Sequence, residues 1–381
     1  MGMCGHISIP ANLNLMRNIL YIGLPILLLC LVSCNPNKFY SPDEISEVEY
    51  PEFPDSISGD IADFNLSNDI FSVISYNDLV VFFSYSDPLI HVVNTRDDSI
   101  IAEFGNIGHS KVEFEDVPYK CYFRSNNHGD LIMCFQELQK TKMINLSSTI
   151  LKSKCVLERN VKNRHSDIDF STFWISDSVR VEYKRYGYDG DARDNVKSAS
   201  SINIWEGEVC KSYSMYPSLL SSKNGVDENI YMAAFDVSPD MTKCVEIPLF
   251  QDCFTIFDME KKQSIGVKSK KEDHNLYERL TRQTSNEAQQ ELKLQTINYC
   301  LSDSYIFIWH NGKISITEQN AEERIQNNPE IRILDWNGNF IKSLILKGKL
   351  RCIAYNEMVN AIYAIDYNGK VVLYDLSKIL K

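Results

Sequence analysis

The sequence lacks the short motifs that mark the common catalytic and cofactor-binding sites. It has no GxSxG nucleophile turn, no GxGxxG or GxxxxGKS/T phosphate loop, and no CxxC, HxxxH or HExxH metal motif. These absences remove local support for nucleotide, zinc or other cofactor binding, so no cofactor is predicted. A catalytic triad can still assemble from distant residues, so an enzyme is disfavoured rather than excluded.

Basic residues are also scarce. The chain has 39 Lys and Arg against 51 Asp and Glu, a formal net charge of -12. An acidic protein repels a phosphate backbone, so no nucleic-acid partner is expected.

Long apolar runs are limited to residues 19–31, a stretch too short to span a bilayer. Arg17 precedes the run and the letters LVSC, ending at Cys34, follow it, which is the order of a secretory signal. The LVSC letters resemble a bacterial lipobox, in which the cysteine is acylated, for example with palmitate. A short buried helix is the alternative, but it does not explain why the run stops at a small residue and a cysteine and gives way to NPNKFYSPDE.

This segment predicts where the protein resides. We expect a signal region over residues 1–33, with Met16 as the true start, and a lipid anchor at Cys34. The expected location is the envelope of a Gram-negative bacterium, at the outer membrane, with the membrane as one partner.

Of the eleven cysteines, three belong to the signal region and eight remain. Most of the eight lie in apolar, strand-like stretches, where a free cysteine behaves as a small buried hydrophobe. Cys244 and Cys253 flank a turn near Pro248, and a disulfide between them stays open as the alternative to core filling.

A repeated unit accounts for most of the chain, and the C-terminal stretch AIYAIDYNGKVVLYDL shows it most clearly. Each unit has a polar turn, an alternating apolar strand, a second turn, and a strand that ends on a carboxylate or amide. The polar turns begin at Asn77, Asn126, Ser176, Ser238, Ser302 and Asn356. The strand ends are Asn94, Asn145, Glu206, Asp258, Asp335 and Asp375.

Six copies with a period of about fifty residues predict an all-β fold, a six-bladed β-propeller. The inner strand of each blade should directly precede its polar turn. The last copy is too short for a fourth strand, so a segment near residues 60–66 is expected to close the ring. The predicted boundaries are a lipidated tether over residues 34–56 and a propeller over residues 57–381.

A lipobox followed by six such copies resembles the TolB-like six-bladed propeller lipoproteins, most clearly in SYIFIWHNGK and EIRILDWNGNFIKSLIL of the fifth copy. The resemblance covers about residues 60–381. It implies a propeller in the cell envelope and brings no catalytic residues. Family members often carry a turn of the type Gly-x-Gly-Pro-x-Glu-Phe after the first blade. Residues 105–114 here keep the glycines, Glu113 and Phe114 but lack the proline.

Propellers bind ligands at one mouth of the central channel, where the inner strands start and the loops after the second strands converge. The candidate binding residues from the strand starts are Lys120, Asp169, Asn229, Asn298 and Arg351. Those from the loops are Tyr85, Arg185, His310 and Tyr367. The alternative is that these polar residues only line a wet channel. The acidic residues Asp189, Asp191 and Asp194 could form a calcium site, but a plain hydrophilic loop is the favoured interpretation of this segment.

Two functions follow from this pattern. The first is a noncatalytic binding or scaffold propeller whose partner is a glycan, a peptide or an envelope protein. The second is an enzyme acting on envelope glycans or peptides, which needs a carboxylate such as Asp169 and a partner at the channel mouth.

Overall fold

The computed structural model describes residues 42–66, 69–118, 121–137, 140–162, 170–185, 200–215, 232–271, 280, 283, 287, 290–311 and 328–380. The chain divides into two units, residues 1–38 and 39–381. The predicted signal region, the start at Met16 and the anchor at Cys34 lie outside the described residues, as do Asp189, Asp191 and Asp194.

The second unit is a β-propeller of six sheets, as the repeat predicts. Blade 1 contains β4 (Ile70–Tyr76), β5 (Leu79–Ser84), β6 (Ile90–Asn94) and β7 (Ser99–Phe104); blade 2 contains β8 (Cys121–Ser125), β9 (Leu131–Gln136), β10 (Lys140–Asn145) and β11 (Leu157–Lys162). Blade 3 contains β12 (Phe170–Trp174), β13 (Val179–Arg185), β14 (Ser200–Glu206) and β15 (Val209–Ser214); blade 4 contains β16 (Ala233–Val237), β17 (Lys243–Pro248), β18 (Cys253–Asp258) and β19 (Gln263–Ser269). Blade 5 contains β20 (Thr296–Leu301), β21 (Tyr305–His310), β22 (Glu330–Asp335) and β23 (Phe340–Lys347); blade 6 contains β24 (Leu350–Asn356), β25 (Ala361–Asp366) and β26 (Val371–Asp375). One short helix, α1 (Leu146–Lys152), follows β10.

The predicted polar turns join the first and second strands of every blade, and their side chains hold them in shape. Asn126 Oδ1 accepts a hydrogen bond from the amide of Asp130 at 2.9 Å, and Ser238 Oγ accepts one from the amide of Lys243, also at 2.9 Å. The strand-ending carboxylates act in the same way, because Asp258 Oδ1 accepts from the amide of Lys261 at 2.9 Å. Asx and Ser side chains mimic the backbone of a turn, which explains why the repeat carries them at fixed positions.

Apolar side chains between neighbouring blades form the core. Blade 6 meets blade 1 through Phe64, Phe82 and Tyr363, with the rings of Phe64 and Phe82 centred 5.6 Å apart. Similar clusters join blades 1 and 2, blades 2 to 4, blades 4 and 5, and blades 5 and 6. The ring is therefore closed by side-chain packing as well as by strand pairing.

The N-terminal segment closes the ring, as predicted. Strand β3 (Asp60–Ala62) pairs antiparallel with β26, with Ala62 opposite Val371 and Asp60 opposite Leu373. This strand supplies the outer strand that the last repeat lacks. Without it the backbone groups of β26 would face solvent at an open edge.

The residues preceding β3 also form strands. Strand β1 (Glu44–Val48) adds in parallel to the outer edge of β19, and β2 (Asp55–Ser58) adds in parallel to β23. Much of the segment assigned to a tether, residues 34–56, is therefore bound to blades 4 and 5 in its described part. We call residues 42–62 the strap. It passes along three successive blades.

No disulfide joins the cysteines of the described residues. Cys244 pairs across the sheet with Phe257, whereas Cys253 pairs with Lys268, so the strand register separates the two sulfurs. Both side chains are buried, which is the core-filling role expected for them.

Candidate functional site

Three inner strands share an irregularity on the face of the propeller where they begin, which we call the mouth face. Each of the inner strands β4, β20 and β24 pairs with the next strand of its blade. In each case the second residue of the inner strand has no partner opposite it. The skipped residues are Phe71, Ile297 and Arg351. A β-bulge redirects a side chain out of the regular pleat, and bulges are frequent beside binding sites.

In blades 1 and 6 the bulged side chain packs against the residue that directly follows the second strand. The ring of Phe71 stacks on Tyr85 with centroids 4.4 Å apart and an interplanar angle of 25°. The guanidinium carbon of Arg351 lies 5.7 Å from the centroid of Tyr367. Tyr85 is 59% exposed and Tyr367 is 38% exposed, so both rings face solvent.

These two pairs lie next to each other, because β24 and β4 are the inner strands of neighbouring blades. The thiol of Cys352, directly after Arg351, donates to the carbonyl of Phe71 at 3.5 Å. We call Phe71, Tyr85, Arg351 and Tyr367 the mouth rim. Two exposed tyrosines and one arginine thus line one sector of the mouth face.

The arginine of the mouth rim has no acidic partner. Among the described residues, no carboxylate lies within ion-pair distance of Arg351, Lys349 or Lys370, all of which belong to blade 6. The nearest acidic side chain in the turn, Asp366, accepts hydrogen bonds from the amides of Asn368 and Lys370, each at 2.8 Å. Several other arginines are paired, as Arg124 is with Asp177 at 2.7 Å, whereas Arg159 of blade 2 also has no ion pair among the described residues. Arg351 is therefore a cation of the mouth rim without an ion-pair partner among the described residues.

A central cavity of about 280 Å³ lies in the channel, lined by the inner strands of blades 1, 2, 4, 5 and 6. It reaches Ser238 and Met241 in the polar turn of blade 4, at the opposite end of the inner strands from the mouth face. Its lining includes Ser72 and Cys352, the residues directly after the two bulged ones, together with the predicted Asn298. Asp236 is the single charged residue among the lining residues. Tyr299 Oη donates to Asp236 Oδ2 at 3.1 Å. Burial, followed by the Asp236 charge, raises the pKa of Tyr299 well above its ordinary value, so its hydroxyl remains a donor.

The cavity also holds three thiols, Cys121, Cys300 and Cys352. Burial raises the pKa of each, in the case of Cys352 to about 12. A thiol is a nucleophile only as the thiolate, so these groups line the channel as weakly polar surface. No cluster of three metal-ligating side chains converges within the part of the chain that the structure describes.

The structure brings together some of the candidates predicted from sequence. Arg351, Tyr85 and Tyr367 belong to the mouth rim, where Arg351 contacts Tyr367, and Asn298 lines the cavity of the channel. Lys120, Asp169 and Asn229 lie outside the described residues. Arg185 ends β13, and its side chain is also outside them.

His310 lies away from the mouth rim, between blades 4 and 5. Its Nδ1 is 4.0 Å from Asp252 Oδ1, and the same oxygen accepts from Arg332 Nη1 at 2.6 Å. Burial, followed by the Arg332 charge, lowers the pKa of His310, which favours the neutral ring. His310 therefore belongs to a partly buried ion-pair cluster that also holds Glu330, 2.9 Å from Arg332 Nε.

The turn that resembles the family's glycine motif, residues 105–114, packs blade 1 on blade 2. Phe114 is fully buried and meets Phe135 edge-on, with centroids 4.9 Å apart. The buried ammonium of Lys142 lies 4.3 Å from the centroid of the Phe114 ring and donates to the carbonyl of Glu113. Gly105 has a φ of 88°, a conformation that favours glycine. This turn is structural in its described contacts, and the missing proline does not disturb them.

The bulges were not predicted, although the residues at the mouth rim occupy equivalent positions in different repeats. Phe71, Ile297 and Arg351 each occupy the second position of an inner strand, and Tyr85 and Tyr367 each directly follow a second strand. Superposing the repeats places these residues at matching positions. Whether a strand bulges depends on its pairing with a neighbour, which the repeat alone does not give.

Comparison with solved structures supports the fold. A member of the DUF4221 family from Bacteroides vulgatus aligns with a TM-score of 0.50 at 11% identity, covering 89% of this chain and 98% of that one. The chain is a six-bladed β-propeller. The β-propeller domain of Cps50 (Swd1) from Myceliophteria thermophila aligns with a TM-score of 0.38 at 10% identity, covering 84% and 100% of the two chains. No protein-family model and no curated protein matches the sequence.

No helix within the described ranges is long and apolar enough to cross a membrane.

Proposed function

We propose that this protein is a lipid-anchored propeller of the TolB-like kind, which binds a ligand of the bacterial envelope at the mouth rim. The observation that carries this proposal is the grouping at one mouth of the channel of two exposed tyrosines, Tyr85 stacked on Phe71 and Tyr367 in contact with Arg351. Rigid aromatic rings next to an uncompensated charge are typical of recognition surfaces. The bulges that present them are local departures from a regular sheet, and such departures concentrate at functional sites.

The anchor part of the proposal rests on the sequence. The lipobox-like letters before Cys34 and the apolar run over residues 19–31 support export and acylation. The short segment between Cys34 and β1 would hold blades 4 and 5 close to the membrane surface. Several acyl chains together give a durable anchor, whereas one gives only marginal binding.

Cell fractionation tests the anchor. Cys34→Ala should move the protein from the membrane fraction to the soluble fraction, because it removes the acylated side chain. Cys210→Ala, which removes an exposed thiol of the propeller, serves as the control and should leave the protein in the membrane fraction. Membrane retention of the Cys34→Ala protein would refute the anchor.

Affinity capture tests the binding part. The soluble Cys34→Ala protein is immobilised and exposed to detergent extracts of the cell envelope, and retained glycans and proteins are identified. The double variant Tyr85→Ala/Tyr367→Ala should lose the retained ligand. Met358→Ala, which truncates a side chain that is 61% exposed on the opposite face, should keep it. Equal retention by both variants would place binding elsewhere than at the mouth rim.

A further inference from the structure

Blade 6 brings several basic side chains to the mouth face. The protein has a net charge of -12, yet blade 6 places Lys349, Arg351 and Lys370 within one loop and one strand start, without a carboxylate partner in the described residues. Arg351 is half-buried as a whole residue, and its charge has no acidic partner among the described residues. A bound anion would supply the missing partner.

The guanidinium of Arg351 favours one kind of anion, a carboxylate. A guanidinium offers parallel N–H donors that match the two oxygens of a carboxylate. The guanidinium lies over the ring of Tyr367, 5.7 Å from its centroid, and makes no ion pair with a described carboxylate, so its N–H donors are available to an anion. A planar carboxylate therefore suits this site, and two N–H groups could bind its two oxygens at once.

The tyrosines indicate what carries the carboxylate. Tyr85 is held flat by its stacking on Phe71, so its outer face is a rigid apolar surface. Such a face packs well against the C–H face of a sugar ring, while sugar hydroxyls can bond the polar groups among the channel's lining residues. Ser72 and Asn298 provide hydroxyl and amide groups in the cavity lining next to the mouth rim.

We propose that the mouth rim binds a glycan that contains uronic acid, with a sugar carboxylate on Arg351 and sugar rings on Tyr85 and Tyr367. This inference rests on the proposed function and adds the ligand class to it. An acidic peptide could satisfy Arg351 equally well. A peptide of aspartate and glutamate alone has no ring to match the flat face of Tyr85, so the two tyrosines favour the glycan.

Isothermal titration of the soluble Cys34→Ala protein with tetragalacturonate tests this inference, with three comparison ligands. The fully methyl-esterified tetragalacturonate keeps the rings and removes the charges. Tetraglutamate keeps the charges and removes the rings, and inorganic phosphate tests for a general anion site. We expect binding of the tetragalacturonate only, weakened by added salt because part of the attraction is electrostatic.

Variants assign the interaction to residues. Arg351→Gln should weaken tetragalacturonate binding roughly tenfold to a hundredfold, the usual loss for a hydrogen-bonded charge. Arg351→Lys should recover only part of it, because a lysine cannot form the two parallel bonds. Tyr85→Ala should weaken binding as well. Arg159→Gln is the matched control, because Arg159 also lies over an aromatic ring, 5.5 Å from Trp174, but on an outer strand.

Each outcome discriminates between the proposals. Equal binding of the methyl ester would overturn the role of the carboxylate and leave the proposed function intact. Equal binding of tetraglutamate or phosphate would overturn the glycan class. No binding of tetragalacturonate, or equal losses in Arg351→Gln and Arg159→Gln, would overturn the inference. The proposed function fails separately, if envelope ligands are retained by the tyrosine double variant.

Discussion

The ring of Tyr50 in the strap lies 3.7 Å from the guanidinium carbon of Arg332 in blade 5. The same ring meets Phe340 edge-on, with centroids 5.3 Å apart. Arg332 in turn bonds Asp252 of blade 4 at 2.6 Å and Glu330 at 2.9 Å. The strap thus covers an ion-pair cluster that joins blades 4 and 5, so it contributes to the interface between them as well as to sheet edges.

Removing the Tyr50 ring should therefore destabilise the propeller. Tyr50→Ala loses a desolvated cation–π contact and the packing on Phe340, which together contribute about 2–3 kcal/mol. Tyr50→Phe keeps both contacts and should stay close to the wild type. Urea unfolding followed by tryptophan fluorescence measures the difference. Equal stability of Tyr50→Ala and the wild type would show that the strap does not depend on this contact.

The closing strand depends on a glycine next to it. A Cβ added at Gly59 would lie 2.6 Å from Val372 Cγ1 and 2.9 Å from the ring of Tyr374. Gly59→Ala should therefore destabilise the protein by about 1–3 kcal/mol, the usual range for overpacking. Hydrogen exchange should show the loss first in β26.

Two further variants test this explanation of the Gly59 effect. Val372→Ala should partly rescue Gly59→Ala in the double variant, because it removes the nearest atom. Ser58→Ala, at an exposed position beside Gly59, is the control and should have little effect. Additive effects of the two substitutions would contradict a direct clash.

The parts of the fold that could be predicted from sequence are those with local physical causes. Inner strands alternate apolar and polar residues, and turn residues such as Ser238 and Asp258 bond the backbone within a few positions of themselves. Because each repeat contains both signals, its strands and turns could be located without any tertiary information. The shortness of the last repeat in turn predicted closure by another segment.

The strap strands could not be predicted in this way, because they form by pairing with strands that lie far away in the sequence. The side chains of β1 and β2 are mostly exposed, and only Val48 among them is buried, so no apolar alternation marks them. Asp43 accepts a hydrogen bond from the amide of Ser264, 221 residues away. The mouth rim also depends on contacts that the sequence does not reveal. Arg351 could be predicted at a strand start, but its bulge and its missing acidic partner depend on tertiary structure.

The turn over residues 105–114 should matter for stability rather than for binding. Phe114 is fully buried between blades 1 and 2, so Phe114→Ala should cost about 3–5 kcal/mol through the lost contacts and the cavity. Val112 lies in the same turn but is 39% exposed, and Val112→Ala should change stability by less than about 0.5 kcal/mol. Thermal unfolding compares the two. Similar effects of both variants would show that the turn is not anchored by Phe114.

A buried carboxyl between blades 3 and 4 should make stability depend on pH. Glu246 Oε1 accepts from Tyr183 Oη at 2.7 Å and from Ser200 Oγ at 2.6 Å, and Oε2 is buried without a hydrogen-bond partner. Burial raises the pKa of Glu246 from 4.5 to about 7, although both hydrogen bonds oppose the shift.

The sign of the effect follows from proton binding. Between pH 4.5 and about 7 the folded protein holds a proton on Glu246 that the unfolded chain has lost, so stability falls as the pH rises through this range. At about 1.4 kcal/mol per pKa unit, the whole effect is about 3 kcal/mol. Glu246→Gln cannot titrate. The unfolding free energy of the wild type minus that of Glu246→Gln should therefore be larger at pH 5 than at pH 8, by up to this amount.

Urea unfolding at several pH values measures this difference, and Tyr183→Phe provides a second, independent test. The Tyr183 hydroxyl favours the ionised carboxyl, so its removal should raise the pKa of Glu246 further and move the midpoint of the pH dependence upward. A difference between the wild type and Glu246→Gln that is constant with pH would show that Glu246 has the same proton affinity in the folded and unfolded chains. A midpoint that Tyr183→Phe leaves in place would show that the hydroxyl does not interact with the carboxyl.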